Sequence, residues 1–297
     1  MLESLTTEKS NLQTMHLDTM NTHDILSIMN DEDASVPTVI RGQILQIERL
    51  VQRVISSFQT GGRLIYVGAG TSGRLGILDA AECPPTFSTP PEMVQGLIAG
   101  GISAIQVAVE GAEDNEAMGR HDLHALTITS KDTIIGIAAS GRTPYVVGAM
   151  RYAKEIGAST GSISCNKDAV ISQYADVAIE IVTGPEVLTG STRLKAGTAQ
   201  KLVLNMISTA SMIGIGKVYK NLMVDMKPTN QKLVERSKRI IMDATEVDYE
   251  TASRTFEEAD QHVKTAIVMI LANCDAASAR EKLAEHGGWI RKSVHTK

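Results

Sequence analysis

The sequence has few aromatic residues and few cysteines. Only 3% of its 297 residues are aromatic, and Trp289 is the single tryptophan. The core must therefore consist mainly of aliphatic side chains, and an apolar content of 43% excludes general disorder. The three cysteines are odd in number and far apart, without a CxxC spacing, so we expect free thiols in a reducing compartment.

Other absences exclude classes of function. No basic block occurs and the net charge is −5, so no nucleic-acid partner is expected. The longest apolar stretch, Leu202 to Ile215, contains Asn205 and Ser208 and is too short to span a bilayer. The first residues also lack the pattern of a signal peptide, so we expect a cytoplasmic protein without a membrane partner. The seven histidines show no ligand spacing, and no bound metal is expected.

Short apolar runs alternate with segments of helical length after residue 63. The runs lie at 64–67, 94–98, 133–138, 160–164 and 177–182, and the helical segments lie at 72–82, 114–125, 144–156 and 192–217. This alternation is typical of βαβ units. It predicts an α/β fold with a doubly wound parallel sheet flanked by helices.

Helical patterns lie on both sides of this region. Residues 1–22 are polar and without pattern, and apolar residues at helical spacing then predict a helix from His23 to Thr60. Its apolar side needs a partner, either the main domain or a second subunit. After Pro228, charged helical segments follow at 230–244, 249–257, 260–271 and 275–286. We therefore predict an N-terminal helical arm (1–60), a sheet domain (61–227) and a small C-terminal helical domain (228–297).

A glycine-rich loop, Gly68-Ala69-Gly70-Thr71-Ser72-Gly73, follows the first apolar run. It matches the GxGxxG fingerprint of dinucleotide-binding proteins, which also needs an acidic residue about 20 positions later to hold the ribose. The next apolar run ends in Ala99-Gly100-Gly101, without an acid, so a dehydrogenase is disfavoured. We predict instead that Gly70, Thr71, Ser72 and Gly73 bind phosphate at a helix N-terminus.

A second loop of this kind, Ala139-Ser140-Gly141-Arg142-Thr143, follows the third apolar run. Its hydroxyls could simply cap the next helix, or they could donate to phosphate oxygens. Two such loops at strand ends of one sheet favour the second interpretation, because α/β sheets bind ligands at that edge. We therefore expect a phosphorylated small molecule held from two sides, with Ser140, Gly141, Arg142 and Thr143 among its ligands.

Two acidic motifs could supply proton transfer. In Asp79-Ala-Ala-Glu82-Cys83-Pro84-Pro85, Glu82 lies near a predicted helix C-terminus, where the helix dipole disfavours the charged carboxylate and suits a proton carrier. The second motif is Glu110-Gly-Ala-Glu113-Asp114, and spacing cannot choose between Glu110 and Glu113.

The segment Thr189-Gly-Ser-Thr-Arg193-Leu-Lys195-Ala-Gly-Thr198 opens a long helix with hydroxyls and two cations. It is either an ordinary capped helix with solvated charges or a rim at which Arg193 or Lys195 binds a carboxylate or phosphate. We expect Lys195, together with Glu186, at the binding site.

Together with His286-Gly-Gly, these motifs resemble the N-acetylmuramic acid 6-phosphate etherase family of sugar-isomerase-domain (SIS) enzymes in bacterial cell-wall recycling. The resemblance runs from about Thr6 to Ile290. It implies cleavage of the D-lactyl ether of the amino sugar, a homodimer and no cofactor. It also implies that Glu82 is the proton donor and Glu113 the second catalytic carboxylate.

Two alternatives share this fold. The glucokinase regulatory protein belongs to the same lineage, so a non-catalytic sensor of sugar phosphates is one of them. A ketose–aldose isomerase, which also abstracts a proton next to a carbonyl, is the other. Release of lactate distinguishes the etherase from both.

Overall fold

The computed structural model describes residues 5–228 and 230–295. They form two compact units. The first contains residues 5–81 and 91–208, and the second contains residues 82–90, 209–228 and 230–295. The three-part division expected from the sequence has other boundaries and stays a prediction.

The first unit is built on a five-stranded parallel sheet. Its strands are β1 (Leu64–Gly68), β2 (Val94–Ile98), β3 (Thr133–Ile137), β4 (Ser159–Ser164) and β5 (Val177–Glu180). They lie in the order β2-β1-β3-β4-β5, and each neighbouring pair is parallel. The predicted doubly wound sheet is confirmed. Because the chain passes from β1 to β2 on one side and then to β3 on the other, the strand order reverses between β1 and β3.

The helices up to α7 are α1 (Thr22–Ala34), α2 (Val36–Arg41), α3 (Ile44–Gln59), α4 (Gly70–Phe87), α5 (Glu116–Ala125), α6 (Pro144–Ile156) and α7 (Lys195–Gly214). None of the helices in the described residues is long and apolar enough to cross a membrane.

Helices cover both faces of the sheet. A Cβ built on Gly136 of β3 would lie 2.8 Å from the Val146 side chain of α6, and one on Gly161 of β4 would lie 2.7 Å from the Leu50 side chain of α3. Gly136 is in register with Ser162, so the adjacent Gly161 faces the opposite side. α3 and α6 therefore lie on opposite faces. The apolar side of α3 packs on the main domain. The sequence had left open whether its partner was the main domain or a second subunit.

A buried carboxylate fixes the start of two neighbouring strands. Asp132 is 1% exposed and accepts hydrogen bonds from the backbone N–H groups of Arg63 and Thr129, both at 2.8 Å, and from the Arg63 guanidinium. Burial by itself raises the pKa of Asp132, but these hydrogen bonds outweigh it and hold the pKa below its ordinary value.

Two helix boundaries expected from the sequence are wrong. The single helix over residues 23–60 is broken into α1, α2 and α3. Pro37 has no N–H with which α1 could continue, and the second break lies at Gly42. The helix expected to end at residue 82 continues through Pro84 and Pro85 to Phe87. Both prolines lie in the last turn of this helix.

The N-terminal segment is ordered despite its lack of pattern. Short 3-10 helices occur at Thr6–Glu8, Leu12–Thr14 and Leu17–Thr19. Leu5 and Thr7 are buried, so these residues form part of the first unit. Residues 1–4 of the predicted arm lie outside the described part of the chain.

The second unit is helical. Its helices after α7 are α8 (Gln231–Thr245), α9 (Tyr249–Glu258), α10 (Val263–Ala272), α11 (Ala276–Glu285) and α12 (Ile290–Val294). Ile241, Phe256 and Ile267 form the centre of its core. α10 begins later than the sequence suggested, because Asp260 and Gln261 adopt positive φ angles of 53° and 59°.

Candidate active site

A cavity of about 430 Å³ lies at the carboxyl ends of β1 and β3, where the strand order reverses. Parallel sheets bind ligands at this position. The predicted binding residues that line it are Gly70, Thr71, Ser72, Ser140, Arg142 and Thr143. The two glycine-rich loops therefore face one space, which their separation of about 70 residues in the sequence does not guarantee.

Close backbone contact positions the first loop. A Cβ built on Gly73 would lie 2.6 Å from Ile98 Cγ1 and 2.8 Å from the carbonyl oxygen of Gly68. Only a glycine at residue 73 lets α4 begin so near the ends of β1 and β2. Gly73 itself does not line the cavity, but it brings the N–H groups of the first turn of α4 to its wall.

The Ser72 hydroxyl is bound by a buried amide. Ser72 donates a hydrogen bond to Gln200 Oε1 at 2.9 Å, and Gln200 is fully buried in α7. Gln200 Nε2 has no hydrogen-bond partner in the described part of the chain. Rotation of this amide by half a turn would let Nε2 donate to Ser72 and would free the Ser72 hydroxyl to donate to phosphate.

In the second loop, the Thr143 side chain does not cap the helix that follows. Gly141 has a φ of 71°, and a Cβ there would lie 2.4 Å from Ala169 Cβ. Ser140 Oγ accepts a hydrogen bond from the N–H of Arg142 at 3.2 Å. Thr143 occupies the N-cap position of α6 but makes no side-chain cap hydrogen bond. Thr143 lines the cavity, and its hydroxyl is not engaged in capping the helix.

The carboxylates of the acidic motifs lie in different places. Glu113 lines the 430 Å³ cavity and also a neighbouring cavity of about 200 Å³. Glu110 lines the smaller cavity and not the larger one. Glu82 is an exposed residue of α4 and belongs to the second compact unit, whereas Glu113 belongs to the first. The catalytic roles of Glu82 and Glu113 stay predictions.

Glu186 and Lys195 take part in a buried network within the first unit. Glu186 is fully buried and accepts hydrogen bonds from the N–H groups of Lys195 and Ala196, both at 3.0 Å, at the start of α7. Burial raises the pKa of Glu186 against the effect of these N–H groups. The Lys195 ammonium, also buried, forms an ion pair with Glu32. Their participation in substrate binding stays a prediction.

Three polar residues of the cavity wall were missed by sequence reasoning. Glu8, Asp114 and Thr192 line it together with the two loops. Asp114 and Thr192 belong to motifs that the sequence did single out. Glu8 carried no local signal, because the cavity lies more than 60 residues further along the chain.

The fold and the paired loops define a class of protein, namely α/β domains that bind phosphorylated small molecules. Comparison with known families agrees: the SIS domain model matches residues 102–210. The model of the N-terminal SIS domain of glucokinase regulatory protein matches residues 46–154. The chain is also similar to a phosphoheptose isomerase from Francisella tularensis, with a TM-score of 0.51, 12% identity, and coverage of 65% of this chain and 100% of that one. At this identity the likeness shows the fold alone.

Curated relatives specify the family. Over 99% of its length the chain is 66% identical to the whole of an N-acetylmuramic acid 6-phosphate etherase from Geobacillus sp. (strain WCH70). It is 61% identical to the etherase of the same name from Bacillus cereus (strain AH187), with the same coverage. The chain belongs to the N-acetylmuramic acid 6-phosphate etherase family, and the resemblance noted in its motifs is confirmed.

Proposed function

We propose that this protein cleaves the D-lactyl ether of N-acetylmuramic acid 6-phosphate, giving N-acetylglucosamine 6-phosphate and D-lactate in the catabolism of cell-wall amino sugars. The observation that carries this proposal is the presence of both glycine-rich loops and Glu113 in one cavity. The loops supply a phosphate site, and Glu113 supplies a carboxylate at the same space. The identity of the family supplies the substrate.

The phosphate is held at the N-termini of α4 and α6. Backbone N–H groups at Gly70 and Thr71 and the hydroxyls of Ser72, Ser140 and Thr143 are suited to phosphate oxygens. This attachment lies away from the reacting carbons, so its binding energy positions the substrate for the reaction.

The chemistry is an elimination followed by an addition. In the open-chain sugar, carbon 2 lies next to the aldehyde at carbon 1, so a base can remove its proton and form an enolate. The enolate expels lactate from carbon 3, and the departing lactate oxygen takes a proton from an acid. The sugar is left as an unsaturated aldehyde. Water then adds its oxygen to carbon 3, and carbon 2 regains a proton. One carboxylate and one protonated carboxyl group suffice.

We assign the base to Glu113 and the acid to Glu82. The position of Glu113 in the cavity wall supports the first assignment and separates Glu113 from Glu110. The second assignment is supported by the family resemblance of the Glu82-Cys83-Pro84-Pro85 motif.

The direct test is release of D-lactate by the purified protein, measured with a D-lactate dehydrogenase. Release from N-acetylmuramic acid 6-phosphate, with deuterium at carbon 2 of the sugar product in heavy water, is expected. Binding of sugar phosphates without release of lactate would mean that the protein is a sensor and not an etherase. Aldose–ketose interconversion without release of lactate would mean that it is an isomerase. Lactate release without deuterium incorporation would exclude the elimination.

The roles of the carboxylates are tested by substitution with glutamine. Glu113→Gln should abolish measurable exchange of the carbon 2 proton. Glu82→Gln should slow lactate release more than it slows exchange. In each variant the rate of lactate release should fall by about 10²–10⁴-fold. Glu110→Gln is the matched control, since it changes the same loop outside the larger cavity, and it should retain activity. The opposite pattern for Glu82 and Glu113 would mean that the roles are exchanged.

We further propose that the protein is a cytoplasmic homodimer. The family resemblance and the exposed apolar side chains of Leu12, Met15 and Leu188 support the dimer. Cys83, Cys165 and Cys274 form no disulfide in the described residues, which is compatible with a reducing compartment. Light scattering after gel filtration should give twice the mass of 31.9 kDa. A mass of one chain at micromolar concentration would contradict the dimer.

A further inference from the structure

Glu8 places a second carboxylate in the wall of the 430 Å³ cavity. It ends the 3-10 helix Thr6–Glu8 and lines the cavity together with both glycine-rich loops and Glu113. The side chain is half-buried. Across residues 5–228 and 230–295 it makes no hydrogen bond or ion pair with another side chain. A carboxylate without a partner at a ligand cavity has its acceptor capacity free for the ligand.

The position of Glu8 is fixed by the buried amide of Asn166. The Thr6 N–H donates to Asn166 Oδ1 at 2.7 Å, and Asn166 Nδ2 donates to Thr7 Oγ1 at 3.0 Å. The same Nδ2 donates to the carbonyl oxygen of Ala139, at 3.0 Å, in the second glycine-rich loop. Asn166 is 2% exposed and Thr7 is fully buried. One amide therefore holds both the turn that bears Glu8 and the loop that binds phosphate.

Charge decides which part of a ligand Glu8 can contact. An ionised carboxylate repels a phosphate group, so it does not assist the phosphate site. It only accepts hydrogen bonds, and the donors that a sugar phosphate offers in number are its hydroxyl groups. Hydrogen bonds to a charged acceptor are stronger than those between neutral groups.

We propose that Glu8 accepts hydrogen bonds from hydroxyl groups of the bound sugar and so positions the sugar chain between the phosphate loops and Glu113. The proposal rests on the proposed function for the identity of the sugar. It assigns Glu8 to the binding of the substrate and not to proton transfer.

The test compares two ligands by calorimetric titration. N-acetylglucosamine 6-phosphate carries the hydroxyl groups, and inorganic phosphate carries only the anion. The variants are Glu8→Ala, Glu8→Gln, whose amide oxygen still accepts, and Lys9→Ala as the control at the next, exposed residue. Glu8→Ala should lower the affinity for the sugar phosphate about 10- to 100-fold. Its affinity for inorganic phosphate should be unchanged or higher. The affinity of Glu8→Gln for the sugar phosphate should lie between those of Glu8→Ala and wild type.

Three results would overturn the proposal. An equal loss for both ligands would mean that Glu8 only supports the loop, and thermal unfolding would then show a lower Tm for Glu8→Ala. Unchanged affinity for the sugar phosphate would mean that Glu8 does not contact it. Tighter binding of both ligands would mean that Glu8 acts by repulsion.

Failure of the proposed function has a different signature. The titrations do not require turnover, so a wild-type protein that binds the sugar phosphate without releasing lactate leaves the test of Glu8 intact. If wild type releases lactate and Glu8→Ala has the same kcat/KM, the inference about Glu8 fails and the proposed function stands.

Discussion

Replacement of Asp79 by alanine should destabilise the first unit more than removal of any one of the side chains that donate hydrogen bonds to Asp79. Asp79 is 5% exposed on α4. Its carboxylate accepts hydrogen bonds from Tyr66 Oη at 2.9 Å, Asn205 Nδ2 at 2.7 Å and Ser208 Oγ at 3.0 Å. Tyr66 lies on β1, and the other two lie on α7. One carboxylate thus connects the sheet, α4 and α7.

The expected cost follows from the groups that would be left without an acceptor. Each donor that loses its acceptor costs about 1–3 kcal/mol, and Asp79→Ala removes the acceptor of Tyr66, Asn205 and Ser208 together. We therefore expect Asp79→Ala to lower the free energy of unfolding by about 4 kcal/mol. For a domain of this size that corresponds to a fall in Tm of about 8–16 °C.

Two milder variants provide the controls. Ser208→Ala and Tyr66→Phe each remove one donor and leave the carboxylate with other partners, so each should cost about 1 kcal/mol. Urea unfolding and calorimetry measure the three variants. If Asp79→Ala lowers the free energy of unfolding no more than Ser208→Ala does, the reasoning is refuted. That result would mean that the donors to Asp79 find other acceptors at little cost.

Three further predictions concern the rest of the first unit. Asp132→Asn should cost about 2 kcal/mol at pH 7. Because the pKa of Asp132 is lower in the folded state, this difference from wild type should shrink as the pH falls below about 4. Gly141→Ala should lower both Tm and phosphate affinity, since the left-handed conformation costs about 1–2 kcal/mol and the added Cβ would meet Ala169. Gln200→Glu should weaken phosphate binding more than Gln200→Leu, because a carboxylate keeps the Ser72 hydrogen engaged.

Each of these has a contrary outcome. A pH-independent difference for Asp132→Asn would mean that the folded protein does not favour its ionised form. Wild-type phosphate affinity in Gly141→Ala would mean that the loop relaxes without loss of the site. Equal affinities in the two Gln200 variants, at matched thermal stability, would mean that the Ser72 hydroxyl does not donate to phosphate.

The fold was largely accessible from the sequence, because apolar runs and glycine-rich turns are local signals. All five runs became strands at nearly the expected residues. The breaks at Ser35 and Gly42 between α1, α2 and α3 were missed, since one apolar periodicity continues across them. The packing of Leu5 and Thr7 was missed because a polar segment gives no pattern, and its partners are distant in the chain.

The sequence by itself determined the parts of this protein: a parallel α/β sheet, two phosphate-type loops and acidic motifs of a known family. Only the tertiary structure decided which parts meet. The adjacency of β1 and β3 brings the two loops to one cavity, and the 3-10 helix at Ala112–Asp114 brings Glu113 to it and not Glu110. Glu8 enters the same wall, while Lys195 pairs with Glu32. Strand and helix propensities act over a few residues, whereas these contacts depend on strand order and on partners that are far apart in the chain.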